Sequence, residues 1–318
     1  MSSALCVTVV GAGAIGLTCA LRLSQAGHDV TVVARDLPPN TTSVLAAAIW
    51  YPYLALPRDR VTGWAAASYA VFAAIAASSP AAGVRMLPGR EIVRASAADP
   101  WWRGAVPDFR RLEAGELPSG CEAGWGFTAP TIDMPRYLEW LLGELRARDV
   151  ELVQRAVTDL DAESQASDAV VVCPGLSARD LLGDHEMTPV RGQIAVLSNP
   201  GLREWLLDDS ALDVESTTYV IPRLATVVCG GTAQRDRVDL TPDPATGAAI
   251  LARARQLVPM LAGAEVIAHR VGLRPARSAV RLELAPDNSK IIYCYGHGGA
   301  GITLSWGCAD EVVALCEA

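Results

Sequence analysis

The run Val7-Thr8-Val9-Val10 leads straight into Gly11-Ala12-Gly13-Ala14-Ile15-Gly16, and a helical pattern follows through about Ala26. This G-x-G-x-x-G constrains the chain more than any other stretch, because each glycine has its own backbone task. Gly11 makes the tight turn, Gly13 admits a pyrophosphate, and Gly16 lets helix meet strand. Gly27 stands where a helix C-terminal glycine belongs, and residues 30–33 supply the next strand. The hexapeptide alone is weak evidence. In this strand–loop–helix–strand setting it predicts an α/β fold with a dinucleotide at the helix N-terminus. The second strand ends Ala34-Arg35-Asp36. That pair offers an acid for ribose hydroxyls and an arginine for a 2′-phosphate, so the kind of dinucleotide stays open.

A second glycine loop lies near the other end. Ile291-Ile292-Tyr293-Cys294-Tyr295 reads as a buried strand, Gly296-His297-Gly298-Gly299-Ala300-Gly301 follows, and a helix pattern begins at Ile302. Bare backbone amides in such a loop can face an anion or an electron-rich ring. Asp168 to Gly175 is an apolar strand ending in glycine, a third place where backbone could approach a cofactor. Residues 44–49 are small and apolar, which would let a large planar group lie close to the chain.

At 318 residues the chain exceeds the size at which single cores divide, so two domains are expected. Its net charge of -8 argues against nucleic acid or an anionic membrane as the main partner. Eight cysteines without a C-x-x-C pair, and four scattered histidines, give no zinc-ligand spacing, so no metal is expected. Reduced, buried thiols suit a reducing compartment. The first residues carry no basic region, the segment from Ala65 to Ala77 reads as too short to span a bilayer, and no Ser-Lys-Leu ends the chain. A cytoplasmic enzyme is the simplest expectation.

Between the glycine loops the pattern is helical from Arg58 to about Ser79, then short strands at 84–87 and 91–94, then the aromatic Trp101-Trp102 and Gly124-Trp125-Gly126-Phe127-Thr128. Residues 133–148 read as an amphipathic helix, 151–153 and Ala156-Val157 as short strands, and 193–197, 219–221 and 226–229 as further strands. A helix follows over 246–261, and 265–268 leads into Gly272-Leu273-Arg274-Pro275-Ala276-Arg277.

These blocks, with Trp50-Tyr51-Pro52-Tyr53-Leu54, Arg191-Gly192-Gln193, Tyr219-Val220-Ile221-Pro222 and Trp306-Gly307-Cys308-Ala309, resemble the D-amino acid oxidases in order and spacing over essentially the whole chain. The resemblance implies a Rossmann-type FAD-binding domain interleaved with a mixed-sheet α+β substrate domain. The first would take residues 1–50, 133–182 and 265–318, the second residues 51–132 and 183–264. It implies non-covalent FAD and hydride transfer from the α-carbon of a D-amino acid. Oxygen would become hydrogen peroxide, and the products would be a 2-oxo acid and ammonia. A homodimer is left open.

Carried over by residue, Arg274 would grip the substrate carboxylate in a bidentate pair, Tyr219 would hydrogen-bond it, and the Gly299 carbonyl would accept from the amine. Ala12, Gly13, Ala14 and Ile15 would approach the pyrophosphate, and Arg35 and Asp36 the adenosine. Thr42, Ser43, Ala47, Ala48 and Ile49 would meet phosphates and flavin, and Val157 the adenine. Gly298, Gly299, Gly301, Ile302 and Thr303 would run along the flavin ring. His297 would be structural. Tyr51 stands where the family pattern has a pocket glutamine, Ile221 lines the same pocket, and Glu215 stands where a second active-site tyrosine belongs. An inward Glu215 would favour D-Lys or D-Arg over D-Asp; a solvated loop carboxylate is its plainer reading. Neutral or basic D-amino acids are the expected substrates. The alternatives are a D-aspartate or glycine oxidase of the same architecture, with Arg223 a candidate partner for a side-chain carboxylate, and an NAD(P)-dependent dehydrogenase.

Overall fold

The computed structural model describes residues 4–52, 54–209 and 217–318, and Glu215 lies outside them. From the N-terminus, β1 (Cys6–Val10), α1 (Ala14–Gln25) and β2 (Asp29–Ala34) form the expected βαβ start. The long helix α2 (Arg58–Ser78) precedes β3 (Val84–Val93), the short β4 (Arg110–Arg111) and β5 (Ala123–Ile132). Next come α3 (Met134–Arg146), β6 (Glu151–Gln154), α4 (Leu160–Ala166), β7 (Ala169–Val172) and α5 (Ala178–Leu181). Then β8 (Thr188–Ser198), β9 (Trp205–Asp208), β10 (Thr218–Pro222), β11 (Thr226–Gly230) and β12 (Gln234–Arg235) lead to α6 (Pro244–Leu257). The chain closes with β13 (Val266–Ala285), β14 (Asn288–His297) and α7 (Gly301–Cys316).

The strands share one sheet with two characters. Its order is β4-β5-β3-β9-β10-β11-β8-β13-β14-β7-β1-β2-β6, with β12 beside β8. From β14 to β6 every neighbour is parallel. These strands are valine-rich because the interior of a parallel sheet is covered on both faces, and β7 is buried at all of its positions. The other part is mixed: its pairs are antiparallel except β3 with β9. The 20-residue β13 joins the two, pairing with β8 from Val266 to Ala276 and with β14 from Ala276 to Ala285. A Rossmann-type parallel sheet thus continues into a large mixed one.

Helices α1, α2 and α7 pack together over the parallel part. Ser68 Oγ accepts from the Trp306 and Gly307 amides at 3.1 and 3.0 Å, and a Cβ at Gly307 would lie 2.4 Å from the Trp64 carbonyl oxygen. The small residue lets the two helices touch backbone to backbone. This changes the reading of residues 65–77. The helix extends to 21 residues and has a composition that could cross a membrane, contrary to the expectation that it is too short. Its Val61, Trp64, Tyr69, Phe72 and Ile75 are buried in the fold.

Three other expectations change. Residues 84–93 form one strand where two short ones, 84–87 and 91–94, were expected, because Pro88 faces Thr128, which spends its amide on Asp108 and its carbonyl on Tyr69. Neither β5 bond needs the proline's missing N–H. Ala156-Val157 is not a strand; the chain leaves the sheet after Gln154 and passes along the rim of the cavity described below. The helix expected to reach residue 261 stops at Leu257, before Pro259.

Candidate functional site

Where the parallel strands end at their carboxyl edges, the chain encloses a cavity of about 1140 Å³. That exceeds the roughly 300–1,000 Å³ of ordinary small-ligand sites and suits an extended ligand. A crevice beyond the carboxyl ends of an α/β sheet is where dinucleotides bind. The wall brings together Ala12, Gly13, Ala14, Ile15, Arg35, Asp36, Thr42, Ser43, Ala47, Ala48, Ile49, Val157, Gly298, Gly299, Gly301 and Ile302. Tyr51, Tyr219, Ile221 and Arg274 line the same space. Besides Arg223, described below, Thr303 alone among the described candidates is not on the wall. It is buried, and its hydroxyl accepts from the Tyr51 amide and donates to the Tyr51 carbonyl, both at 3.0 Å. Its side chain therefore fixes Tyr51.

The fingerprint glycines divide as their spacing predicts. Gly11 has φ +113°, and a Cβ there would sit 2.3 Å from the Cys173 carbonyl oxygen. A Cβ at Gly16 would be 1.9 Å from the Gly11 carbonyl oxygen, so Gly16 serves packing. At Gly13 a Cβ would meet only Ser43 Oγ, at 3.1 Å, which leaves this backbone open to the cavity. Ser43 Oγ also accepts from the Ala14 amide at 2.9 Å. No side chain of the N-cap residue caps α1 or α7, and neither has an acid in its first turn. Two positive helix ends therefore converge on the cavity, and apart from the Ala14 amide held by Ser43 their free amides are available to an anionic ligand. Arg35 pairs with Asp36 at 2.7 Å on the same rim.

At the other end Arg274 Nη1 donates to the Thr232 carbonyl at 2.8 Å. Its guanidinium lies over Gly192, where a Cβ would come within 2.5 Å of Nη1. The Tyr219 ring lies over Gly230, where a Cβ would stand 2.0 Å from ring Cζ. Two glycine positions, one on β8 and one on β11, thus make the space in which arginine and tyrosine meet. Burial raises the Tyr219 phenol, with Arg274 opposing, so the hydroxyl is a donor. Burial lowers His297 to about 4, so its imidazole is neutral and a poor proton acceptor. Arg223 is buried, donates to the Ala46 carbonyl at 2.7 Å, and does not line the cavity.

Three features escaped the sequence. Glu91 is buried behind Tyr51, whose hydroxyl donates to it at 2.8 Å. Asp209, just beyond β9, lines the cavity. The fold also gathers thiols that no spacing announces: Cys19, Cys173 and Cys294 lie within 4.8 Å of one another, as do the ligand atoms of Cys294, His297 and Cys308. The Cys19 hydrogen bond and burial hold the Cys173 thiol well above its ordinary range, so it packs there as a small apolar group.

The chain matches the FAD dependent oxidoreductase family over residues 6–315. It is 48% identical over 313 residues to a D-amino-acid oxidase of Rubrobacter xylanophilus, covering 98% of this chain and 95% of that one. A D-amino-acid oxidase of Streptomyces coelicolor is 44% identical over 316 residues, covering 98% and 96%. A glycine oxidase structure from Geobacillus kaustophilus superposes with a TM-score of 0.82 at 19% identity, over 98% of this chain and 94% of that one, which is a likeness of fold. The glycine-lined crevice and the full-length match agree, and the chain belongs to the FAD dependent oxidoreductases.

Proposed function

We propose that the protein is a D-amino acid oxidase that deaminates neutral or basic D-amino acids with bound FAD. The observation that carries this reading is the meeting of Arg274 and Tyr219 in the cavity that the fingerprint loop and the 298–302 loop also line. When bound, FAD supplies the two-electron oxidation and passes the electrons to oxygen, giving hydrogen peroxide. Residues 12–15 would hold its pyrophosphate, Arg35, Asp36 and Val157 its adenosine, and residues 42–49 and 298–302 its phosphates and ring.

Arg274 presents a planar fork to the substrate carboxylate, and the Tyr219 hydroxyl adds a donor to the same group. The Gly299 carbonyl accepts from the amine, which fixes the face of the α-carbon turned toward the ring. Neutral His297 does not remove the α-hydrogen, so the side chains contribute orientation and charge complementarity. Tyr51 and Ile221 bound the space for the substrate side chain. Segments 1–50, 133–182 and 265–318 form the cofactor domain in this reading, and 51–132 and 183–264 the substrate domain. All eight cysteines are free thiols, which favours the cytoplasm.

The test is an absorbance scan of purified protein followed by a peroxide-coupled screen of D- and L-amino acids. Flavin bands and peroxide from D-enantiomers are expected. Flavin-free protein, or flavoprotein inert toward every D-amino acid, would overturn the reading.

A further inference from the structure

The floor of the substrate end is a row of side chains on one sheet face. Cross-strand partners share a face, so Trp125, Glu91, Leu207 and Tyr219 lie side by side on β5, β3, β9 and β10. Two residues along, Asp209 and Thr217 continue that face, with the Thr217 hydroxyl 3.5 Å from Asp209 Oδ1. Leu207, Asp209, Thr217 and Tyr219 all line the cavity. Behind them Glu91 is 3% exposed; one carboxylate oxygen accepts from Tyr51 and the other has no hydrogen-bond partner.

The charges are segregated. Among described cavity-lining residues of the mixed sheet, the cations Arg270 and Arg274 stand on β13, while Asp209 stands across β10 on the β9 side. The Tyr219 ring leans toward β11 to meet Arg274, whose guanidinium stands over Gly192 of β8, so grip and acid are separated by three strand spacings, or ~14 Å. An amino acid held by its carboxylate at Arg274 would reach Asp209 only with a long side chain. The group arriving there would meet a carboxylate, with a second acid buried behind Tyr51.

We propose that Asp209 is the counter-ion of a side-chain subsite, backed by Glu91 through Tyr51, that selects D-amino acids whose long side chains end in a cation, such as D-Lys and D-Arg. This rests on the oxidase reading and specifies its substrate class. Asp209 would touch the substrate, and Glu91 acts as a positioning residue by holding the Tyr51 ring. A substrate carboxylate at the same place would face an acid, so D-Asp and D-Glu are disfavoured.

The test compares kcat/KM for D-Lys, D-norleucine and D-Asp in the holoenzyme. Norleucine has the lysine chain without its charge, so the comparison needs no variant. The wild type should prefer D-Lys to D-norleucine at least fivefold, through KM. Asp209→Asn should reduce that ratio at least fivefold and Asp209→Glu should restore it, with the flavin spectrum checking that the site is assembled. Glu91→Gln, which keeps an acceptor for Tyr51, should leave the ratio within about twofold of wild type, whereas Glu91→Ala, which releases the Tyr51 ring, should reduce it by raising KM for D-Lys while kcat holds. If D-norleucine is oxidised but the wild-type preference is under fivefold, or Asp209→Asn leaves it standing, the subsite assignment falls and the oxidase reading stands. If no D-amino acid yields peroxide, both fall.

Discussion

Tyr51 donates its hydroxyl to Glu91 Oε1 across 2.8 Å, while Glu91 Oε2 is buried without a hydrogen-bond partner. Burial pushes this carboxyl from 4.5 up to about 8; the Tyr51 bond opposes the shift and the charge of Asp209 adds to it. Below pH 4.5 both folded and unfolded chains hold the proton. Between 4.5 and about 8 only the folded chain keeps it, so stability falls as pH rises through that window. The loss amounts to roughly 5 kcal/mol once both states are ionised. Glu91→Gln should flatten this slope and be more stable than wild type at pH 9. Urea unfolding from pH 5 to 9 with excess flavin checks it, and parallel slopes in the two proteins would refute the account.

Arg274 and Gly192 make a second prediction. A Cβ at Gly192 would lie 2.5 Å from the guanidinium, so Gly192→Ala must push Arg274 off its seat against the Thr232 carbonyl. KM for a D-amino acid should rise ten- to a hundredfold, the scale of about 1.4–2.7 kcal/mol. Arg274→Lys should do similar harm, because an ammonium cannot copy the planar fork. Both variants should retain flavin, read from the ratio of visible to ultraviolet absorbance. Loss of flavin with unaltered KM would place Arg274 outside the substrate end.

What the sequence made legible was local. The fingerprint loop, the 298–301 loop and the strands beside them could be read because strand, glycines and helix adjoin along the chain. The missed features arise where distant segments meet. Nothing near Pro88 and Gly89 announces a continuous strand, since the groups that accommodate them lie far along the chain: Thr128 turns its amide to Asp108, and the Trp205 ring lies where a Gly89 Cβ would be, 2.2 Å away. Glu91 reads as an ordinary strand residue until Tyr51, 40 positions away, is seen bonded to it. Asp209 carries no motif at all. The role proposed for Thr303 shows the converse: its place in a motif was visible, and the Tyr51 backbone that occupies its hydroxyl was not.

A third prediction concerns the support of the second glycine loop. Asp184 accepts from Arg277 Nε at 3.0 Å and from the Tyr295 hydroxyl at 2.8 Å, tying the chain before β8 to β13 and β14. Burial raises its carboxyl, but the Tyr295 bond and then Arg277 outweigh this and hold it below its ordinary range. Its stabilisation is therefore complete above the ordinary carboxylate range and disappears as pH falls through the depressed folded value. Asp184→Ala should cost about 2 kcal/mol at pH 7, because it removes the buried partner of Arg277 Nε and of the Tyr295 hydroxyl, while Glu186 still meets Arg277 and Arg281 still meets Tyr295. The denaturation midpoint reads it, and a change below 1 kcal/mol would mean that solvent already satisfies those groups.

The two fingerprint glycines should fail differently, and the contrast separates packing from binding. At Gly16 an added Cβ would lie 1.9 Å from the Gly11 carbonyl oxygen, so α1 must move off β1. Gly16→Ala should destabilise the fold by about 1–3 kcal/mol, the cost of overpacking, even with no cofactor present. At Gly13 the added methyl meets only Ser43 Oγ, the end of a short side chain that can rotate away. Gly13→Ala should keep the apoprotein's unfolding midpoint within about 0.5 kcal/mol of wild type. Its methyl would stand between the N-terminus of α1 and the pyrophosphate, so flavin affinity should fall at least tenfold. Unfolding of apoprotein and flavin titration, run on both variants, give four numbers. If Gly13→Ala lowered the apoprotein midpoint as far as Gly16→Ala does, its glycine would be serving the fold, and the pyrophosphate would have to lie elsewhere in the cavity.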